Sequence, residues 1–338
     1  STNRNVFDGA AINPTSGGRT TLSAQVEQDF STGAVDHLLI GVLEHEDEDF
    51  SARDTVYGGS TNQDRSRRRQ SLTVEWRGEA GRLGTDLALR RDRFNRFADA
   101  TTVRASLLGE LGAGFSLAGS YAEGVAQPTF FDLYGFVPGN FIGNPELVPE
   151  SSRGFEVSLR FRRPRLRAAP TGYRQRLRDE IVDVFDVFPF TTRNREDSSR
   201  RSGAEAELDW TPSDGLRLSA TYAYLEATQP DAGQHIRETR RPRHRRSLAL
   251  DGRRGALTYG VSIAYTGERT DVNEQFPFQT VRLDPYWLAG ARLSYAVRPG
   301  IELFARAANA FDEQYEDVFG YLTEGRSLYA GIRIAGSR

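Results

Sequence analysis

The feature that most restricts this chain is a period-two alternation of apolar and polar side chains that recurs from end to end, with helical spacing almost nowhere sustained. Leu72, Val74 and Trp76 alternate with Ser71, Thr73 and Glu75, and Phe155, Val157, Leu159 and Phe161 alternate with Glu156, Ser158, Arg160 and Arg162. The same pattern returns at Ala204–Trp210, Leu216–Tyr224, Leu257–Tyr265, Ala291–Val297 and Leu328–Ile334. Successive strand side chains point to opposite faces, so each segment predicts a strand with one apolar and one polar side. The expected strands number 15, starting near 19, 36, 70, 82, 101, 114, 152, 166, 203, 215, 244, 256, 285, 300 and 326.

The connections alternate in length. Short turns read as Ser31–Gly33, Glu79–Arg82, Gly112–Gly114, Arg163–Arg165, Pro212–Gly215, Gly252–Gly255 and Arg298–Gly300. Between them lie long polar or aromatic stretches, near 47–69, 124–151, 183–202, 226–243, 267–284 and 312–325, with one brief link near 97–100. Short turns on one side and long loops on the other is the asymmetry of an outer-membrane barrel, and a soluble sandwich has no reason to sort its loops this way. Trp76, Trp210, Tyr222, Tyr224, Tyr265, Trp287 and Tyr295 fall toward strand ends, where aromatic girdles sit. The mean hydropathy of -0.55 is compatible with a membrane wall, because lipid-facing and lumen-facing residues average out.

Composition removes several classes. Without cysteine there is no disulfide framework, thiolate metal site or cysteine nucleophile. A net charge of -2 argues against a nucleic-acid partner. All 44 basic residues are arginine. His37, His45, His235 and His244 show no zinc spacing, and no G-x-S-x-G or phosphate-binding loop is present, so no catalytic residue, resident metal or cofactor is expected and the chain is not read as an enzyme.

A set of motifs in fixed order then carries a resemblance. Gly119-Ser-Tyr-Ala-Glu-Gly-Val-Ala-Gln-Pro128 runs into Phe130-Phe-Asp-Leu-Tyr134 and Gly143-Asn144-Pro145-Glu146-Leu-Val-Pro149-Glu150; Gly203-Ala-Glu205 precedes Trp210-Thr-Pro212; Arg241-Pro-Arg-His244 opens a strand; Asn309-Ala-Phe-Asp312-Glu-Gln-Tyr315 precedes Gly325-Arg326. Together these resemble TonB-dependent outer-membrane receptors, closest in general look to vitamin B12 and ferric-siderophore receptors. The resemblance implies an all-β fold: an antiparallel transmembrane β-barrel, partial at about 15 of the family's 22 strands, with residues 1–338 as the C-terminal portion and the N-terminal plug and first strands outside it. It implies a receptor in the bacterial outer membrane that imports a large, scarce nutrient, a ferric siderophore or a cobalamin-like molecule. Its expected partners are the TonB complex, the plug domain, lipopolysaccharide and other outer-membrane lipid, and the ligand. A passive porin-type channel and a soluble β-repeat interaction module remain alternatives.

Several expectations follow. An open sheet would leave unpaired backbone at its edges, at several kcal/mol per group in hydrocarbon, so this polypeptide alone should not form a stable pore. Residues 1–18, with Gly9, Pro14, Gly17 and Gly18, read as a weak strand tail, and Ile334 followed by Ala-Gly-Ser-Arg338 departs from the aromatic ending usual in such families. Pro145 and Pro149 remove backbone donors, so 143–150 reads as a shaped loop; Asn309 and Asp312 suit Asx turns, and the motif residues as a whole read as architecture. Ligand contact is expected from aromatics on long loops: Phe130, Phe131, Tyr134, Phe136 and Phe141, then Phe185, Phe188 and Phe190, then Phe276 and Phe278, with loop packing as the competing explanation. Glu156, Arg160, Glu205, Glu207, Arg292 and Arg306 should face the lumen. The acidic run Glu44–Asp49 reads as a solvated strand extension, with calcium binding as the alternative. Arg65, Arg67, Arg68 and Arg69, and Arg237, Arg240, Arg241, Arg243, Arg245 and Arg246, fall near the extracellular rim, set either for lipopolysaccharide phosphates or for salt bridges between loops.

Overall fold

The computed structural model describes residues 2–3, 6–7, 10–11, 14–54, 58–59, 62–137, 139–185, 187–231, 233–275 and 278–335. Among these, fifteen strands of eight residues or more follow one another in the expected places. They are Thr15–Thr32, Val35–Ala52, Gln63–Ala80, Leu83–Phe94, Ala100–Gly112, Phe115–Ala126, Glu150–Arg163, Leu166–Arg178, Ser199–Ser213, Leu216–Asp231, His244–Arg254, Leu257–Thr266, Tyr286–Arg298, Ile301–Ala308 and Ser327–Ile334. The one helix among the described residues is Phe130–Tyr134. Among the described residues no helix is long and apolar enough to cross a membrane, which has no bearing on crossing by strands.

Two corrections to the expected boundaries share a cause. The first strand starts at Thr15, taking Gly17 and Gly18 into its ladder opposite Phe50 and Asp49, and the third starts at Gln63, through the arginine run expected to be loop. Neither extension has an apolar period to read: Thr15–Gly18 is small and uncharged, and Gln63–Arg69 is mostly charged. They are held by complementary partners, Arg19 opposite Glu48, and Glu46 and Glu48 opposite Arg69 and Arg67.

The chain divides into two units, residues 1–109, 120–155 and 176–198, and residues 110–119, 156–175 and 199–338. In the first, consecutive antiparallel hairpins align Ala24, Leu43 and Leu72 in one row and Gly41, Val74, Leu89 and Val103 in another. This apolar face is open: Leu72 and Val74 are 47% and 44% exposed, while Ser71 and Glu75 on either side of them are 5% and 9% exposed. That polarity is the reverse of a soluble sheet, where the apolar face is covered and the charged face is wet. Hydrocarbon solvent on one side is the arrangement under which it is stable.

The second unit repeats the pattern. Leu248, Ile263 and Ala289 align, as do Leu250, Val261, Ala291, Ala307 and Leu328. Tyr265 and Trp287 pair above these rows, and Leu257, Tyr295, Leu303 and Ile332 align below them. Trp287 and Tyr295 on one strand are therefore about 27 Å apart along it, which with strand tilt matches an apolar band about 25 Å tall. Short turns close the lower ends; at Gly215, with φ +87°, a Cβ would sit 2.7 Å from the Arg253 carbonyl oxygen, so glycine is required there.

Candidate functional site

The best-defined functional surface lies in the first unit, where the polar face of the sheet runs up past the apolar band. Glu44, Glu46 and Glu48 project to this face and His45 and Asp47 to the other, as strand alternation demands. Arg19 Nε donates to Glu48 at 2.7 Å, and Arg67 pairs with the same carboxylate. Arg69 reaches Glu44 at 2.8 Å and Glu46 at 3.2 Å, and Arg90 bonds Asp92 at 2.9 Å and the Ser71 hydroxyl at 2.7 Å. Ser71 in turn donates to Asp92 at 2.6 Å. The four arginines, Glu44, Glu46, Glu48 and Asp92 line a cavity of about 530 Å³ with Glu123 and Gln127. The acidic run is thus a strand extension neutralised by arginine, and no cluster fit to hold a metal occurs among the described residues.

Arg67 also ties this wall to the loop above, donating to the Pro128 carbonyl at 2.6 Å. Pro128 precedes the short helix, which Thr129 caps: its hydroxyl accepts from the Asp132 N–H at 3.1 Å, and Asp132 accepts from the Thr129 N–H at 2.7 Å. The helix rings lie against the wall. Phe130 stacks on Phe50 at 5.4 Å with the Arg67 guanidinium 4.7 Å from its centre, and Tyr134 lies between Arg65 at 4.5 Å and Arg96 at 5.1 Å.

The 143–150 segment fastens this loop to the next. Asn144 donates to the Thr192 carbonyl at 3.0 Å, Thr192 Oγ1 donates to the Asp132 carbonyl at 3.0 Å, and Asn194 Oδ1 accepts from the Val148 N–H at 2.9 Å. Asn144 Oδ1 also accepts from Glu146 N–H, the Pro145 carbonyl accepts from Arg96 at 2.8 Å, and the Glu150 carboxylate accepts from Ile181 N–H at 2.6 Å. Pro149 lies between these contacts, half-buried. Gly143 donates to the Gly135 carbonyl, and a Cβ there would lie 2.6 Å from the Tyr134 nitrogen. Phe131 lies flat on Phe141 at 4.9 Å, the hairpin of Phe136–Val137 with Phe141–Ile142 sets that ring, and Phe190 bonds Asn140 and Ile142 through its backbone while touching Phe185 and Phe188.

The structure therefore divides the aromatic set. Phe130, Tyr134, Phe136 and Phe141 are half-buried in loop packing, whereas Phe131 is 52% and Phe188 73% exposed. Phe278 is an exposed residue of the second unit, and Phe276 lies outside the described residues. Sequence reading missed Phe50, Arg65 and Arg96 as partners of the loop rings; the signal was the matching of glutamates and arginines at alternate positions of consecutive strands.

In the second unit the motif residues knit loops. Asn309 Nδ2 donates to the Glu313 carbonyl and its Oδ1 accepts from Glu313 N–H, both at 2.9 Å; Asp312 accepts from Arg326 N–H at 2.8 Å, next to Gly325. Tyr315 lies tilted against Tyr286, the ring centres 4.3 Å apart. Asp271, 1% exposed, accepts from Phe319 N–H, Val272 N–H and Arg240. Burial pushes the Asp271 carboxyl up, but the two N–H donors and Arg240 outweigh it and hold its pKa below the usual carboxylate range. Glu205 is exposed on the polar side of Ser199–Ser213. Most of the rim arginines form salt bridges: Arg67 and Arg69 within the wall, Arg68 on Asp47, Arg240 on Asp271, Arg241 on Glu238 and Arg243 on Glu226.

With an open apolar face on one side of the sheet in each unit, a polar face on the other and long loops fastened at one end, comparison with known proteins is decisive. Residues 1–310 match the family model for the TonB dependent receptor-like β-barrel. The chain belongs to the TonB-dependent receptor β-barrel family. It is a bacterial outer-membrane protein of a receptor and transporter family, not an enzyme family. Similar solved structures include the siderophore receptor PirA from Acinetobacter baumannii, at 16% identity and a TM-score of 0.77 over 98% of this chain and 56% of that one. A mutant of the ferric enterobactin receptor PfeA from Pseudomonas aeruginosa, in complex with enterobactin, has 17% identity and a TM-score of 0.77 over 95% of this chain and 55% of that one. The ferric-catecholate import receptor Fiu of Escherichia coli K12 has 15% identity and a TM-score of 0.73, covering 95% and 55%. This TonB-dependent receptor chain spans just over half the length of those relatives.

Proposed function

We propose that this chain is the C-terminal wall of a receptor that captures a ferric siderophore at its extracellular loops and imports it with energy delivered through TonB, a plug domain moving within the wall. The observation that carries the reading is the pair of exposed rings, Phe131 and Phe188, on two loops fastened together above a wall of paired arginines and carboxylates. Rigid aromatic faces bind a large ligand with apolar surface at little entropic cost. The siderophore receptors among the similar structures favour this class over corrinoids. Fitting the reading, the motif residues Gly143 to Glu150, Asn309, Asp312 and Gly325 hold the loops and do not touch ligand.

The test is growth of a receptor-deficient strain, under iron limitation, on single ferric siderophores with the full-length gene supplied. Rescue by at least one catecholate or hydroxamate, lost in Phe131→Ala/Phe188→Ala with the protein still in the membrane, is the expected outcome. Rescue by cobalamin alone would overturn the substrate class, and unaided diffusion of small sugars through the protein would favour a porin.

A further inference from the structure

On the apolar side of the second unit, at the edge nearest the long loops, one arginine has no carboxylate partner. Tyr222, Arg246, Tyr265 and Trp287 stand side by side in register on four consecutive strands. The Arg246 guanidinium lies 5.8 Å from the centre of the Tyr222 ring and 5.3 Å from that of Tyr265, and Tyr265 lies 4.7 Å from Trp287. His244, one step nearer the loops on the same face, has Nδ1 3.0 Å from the Tyr222 hydroxyl. The next residues toward the band are Leu248, Ile263 and Ala289.

Among the described residues Arg246 meets aromatic rings only, whereas its loop neighbours Arg240, Arg241 and Arg243 are all neutralised by acids. Within the first unit, the arginines on the corresponding face are neutralised too, Arg68 by Asp47 and Arg91 by Asp99. A guanidinium set in a girdle of Tyr and Trp, directly above an apolar band, is at the depth of lipid headgroups and is dehydrated on its inner side. The anion that can reach it there comes from the lipid. We propose that Arg246, with His244 and the Tyr222 hydroxyl beside it, docks the phosphate of a phosphorylated outer-leaflet lipid of the lipopolysaccharide type, whose acyl chains lie along Leu248 and Val261. A planar guanidinium offers a phosphate two parallel N–H bonds, and the flanking rings hold that plane in place.

This rests on the outer-membrane reading and is independent of what the receptor imports. The full-length receptor is purified into detergent, and native mass spectrometry follows binding of bis-phosphorylated lipid A and of its phosphate-free form. The expected result is a clear preference for the phosphorylated lipid, reduced about tenfold or more in Arg246→Ala, as loss of a charged hydrogen bond implies. Arg254→Ala, at the far end of the same strand, should leave it unchanged. Heat-modifiable gel mobility reports folding; should Arg246→Ala fail to assemble, Arg246→Gln keeps the polar bulk without the charge and should show the same loss. Equal retention of both lipids by the unaltered receptor, or phosphate preference persisting in either variant, would overturn the proposal. A receptor that binds phosphorylated lipid but imports no siderophore would overturn only the substrate reading, while one that enters no bilayer would overturn both.

Discussion

Glu48 accepts from two arginines while almost closed off from water, and Arg67, with a side chain only 10% exposed, depends on it. Removing one partner of a buried pair strands the other charge, at about 3–5 kcal/mol. Glu48→Ala should therefore lower the unfolding free energy read by urea titration by that order, whereas Asp64→Ala, which breaks the exposed pair with Arg53, should cost under about 1 kcal/mol. Equal effects would mean that the ladder is wet. Asp271 makes a pH-dependent version of the same point. Its folded pKa is depressed, so its contribution is complete above the unfolded carboxylate range and is lost as pH falls through the lower folded value. Asp271→Asn should loosen the loop around 269–283 by about 1–3 kcal/mol at pH 7, read by hydrogen exchange at Val272 and Phe319. The gap from the unaltered protein should close in acid.

At the scale of elements, the helix Phe130–Tyr134 has only 5 residues and would not persist alone; its cap, its rings on the wall and the 143–150 segment hold it. Gly143→Ala drives a Cβ against the Tyr134 nitrogen, so protease cleavage between 127 and 149 should speed up several-fold while the strands stay resistant. Unchanged cleavage would show that the two loops are not fastened there. The strands were legible because apolar residues repeat at every second position, as at Leu72 and Val74 or Leu293 and Tyr295. Thr15–Gly18 was not legible as strand because it is small and glycine-rich, nor Gln63–Arg69 because the partners of its arginines are mostly acids on a neighbouring strand. For the candidate site, the loop aromatics were visible in the sequence but not the division between Phe131, exposed, and Phe130, spent on Phe50, which only the fold decides.

At the scale of the whole chain, the inverted polarity is the property that suits it to a membrane wall. Charge placed on the outward face should obstruct assembly: Val74→Arg should cost about 2–4 kcal/mol near mid-bilayer, and Thr73→Arg, on the lumen side, far less. Failure of Thr73→Arg alone would reverse the assignment of faces. These 338 residues contain no cysteine, which makes a direct measurement available. Single cysteines at Leu72, Thr73, Val74 and Glu75 in the full-length receptor, labelled with a fluorophore in bilayers of brominated lipid, report which solvent each side chain meets. The prediction is strong quenching by lipid at 72 and 74 with little reaction toward water-soluble thiol reagents, and the opposite at 73 and 75. Water-accessible labels at 72 and 74, unquenched by lipid, would contradict a membrane wall.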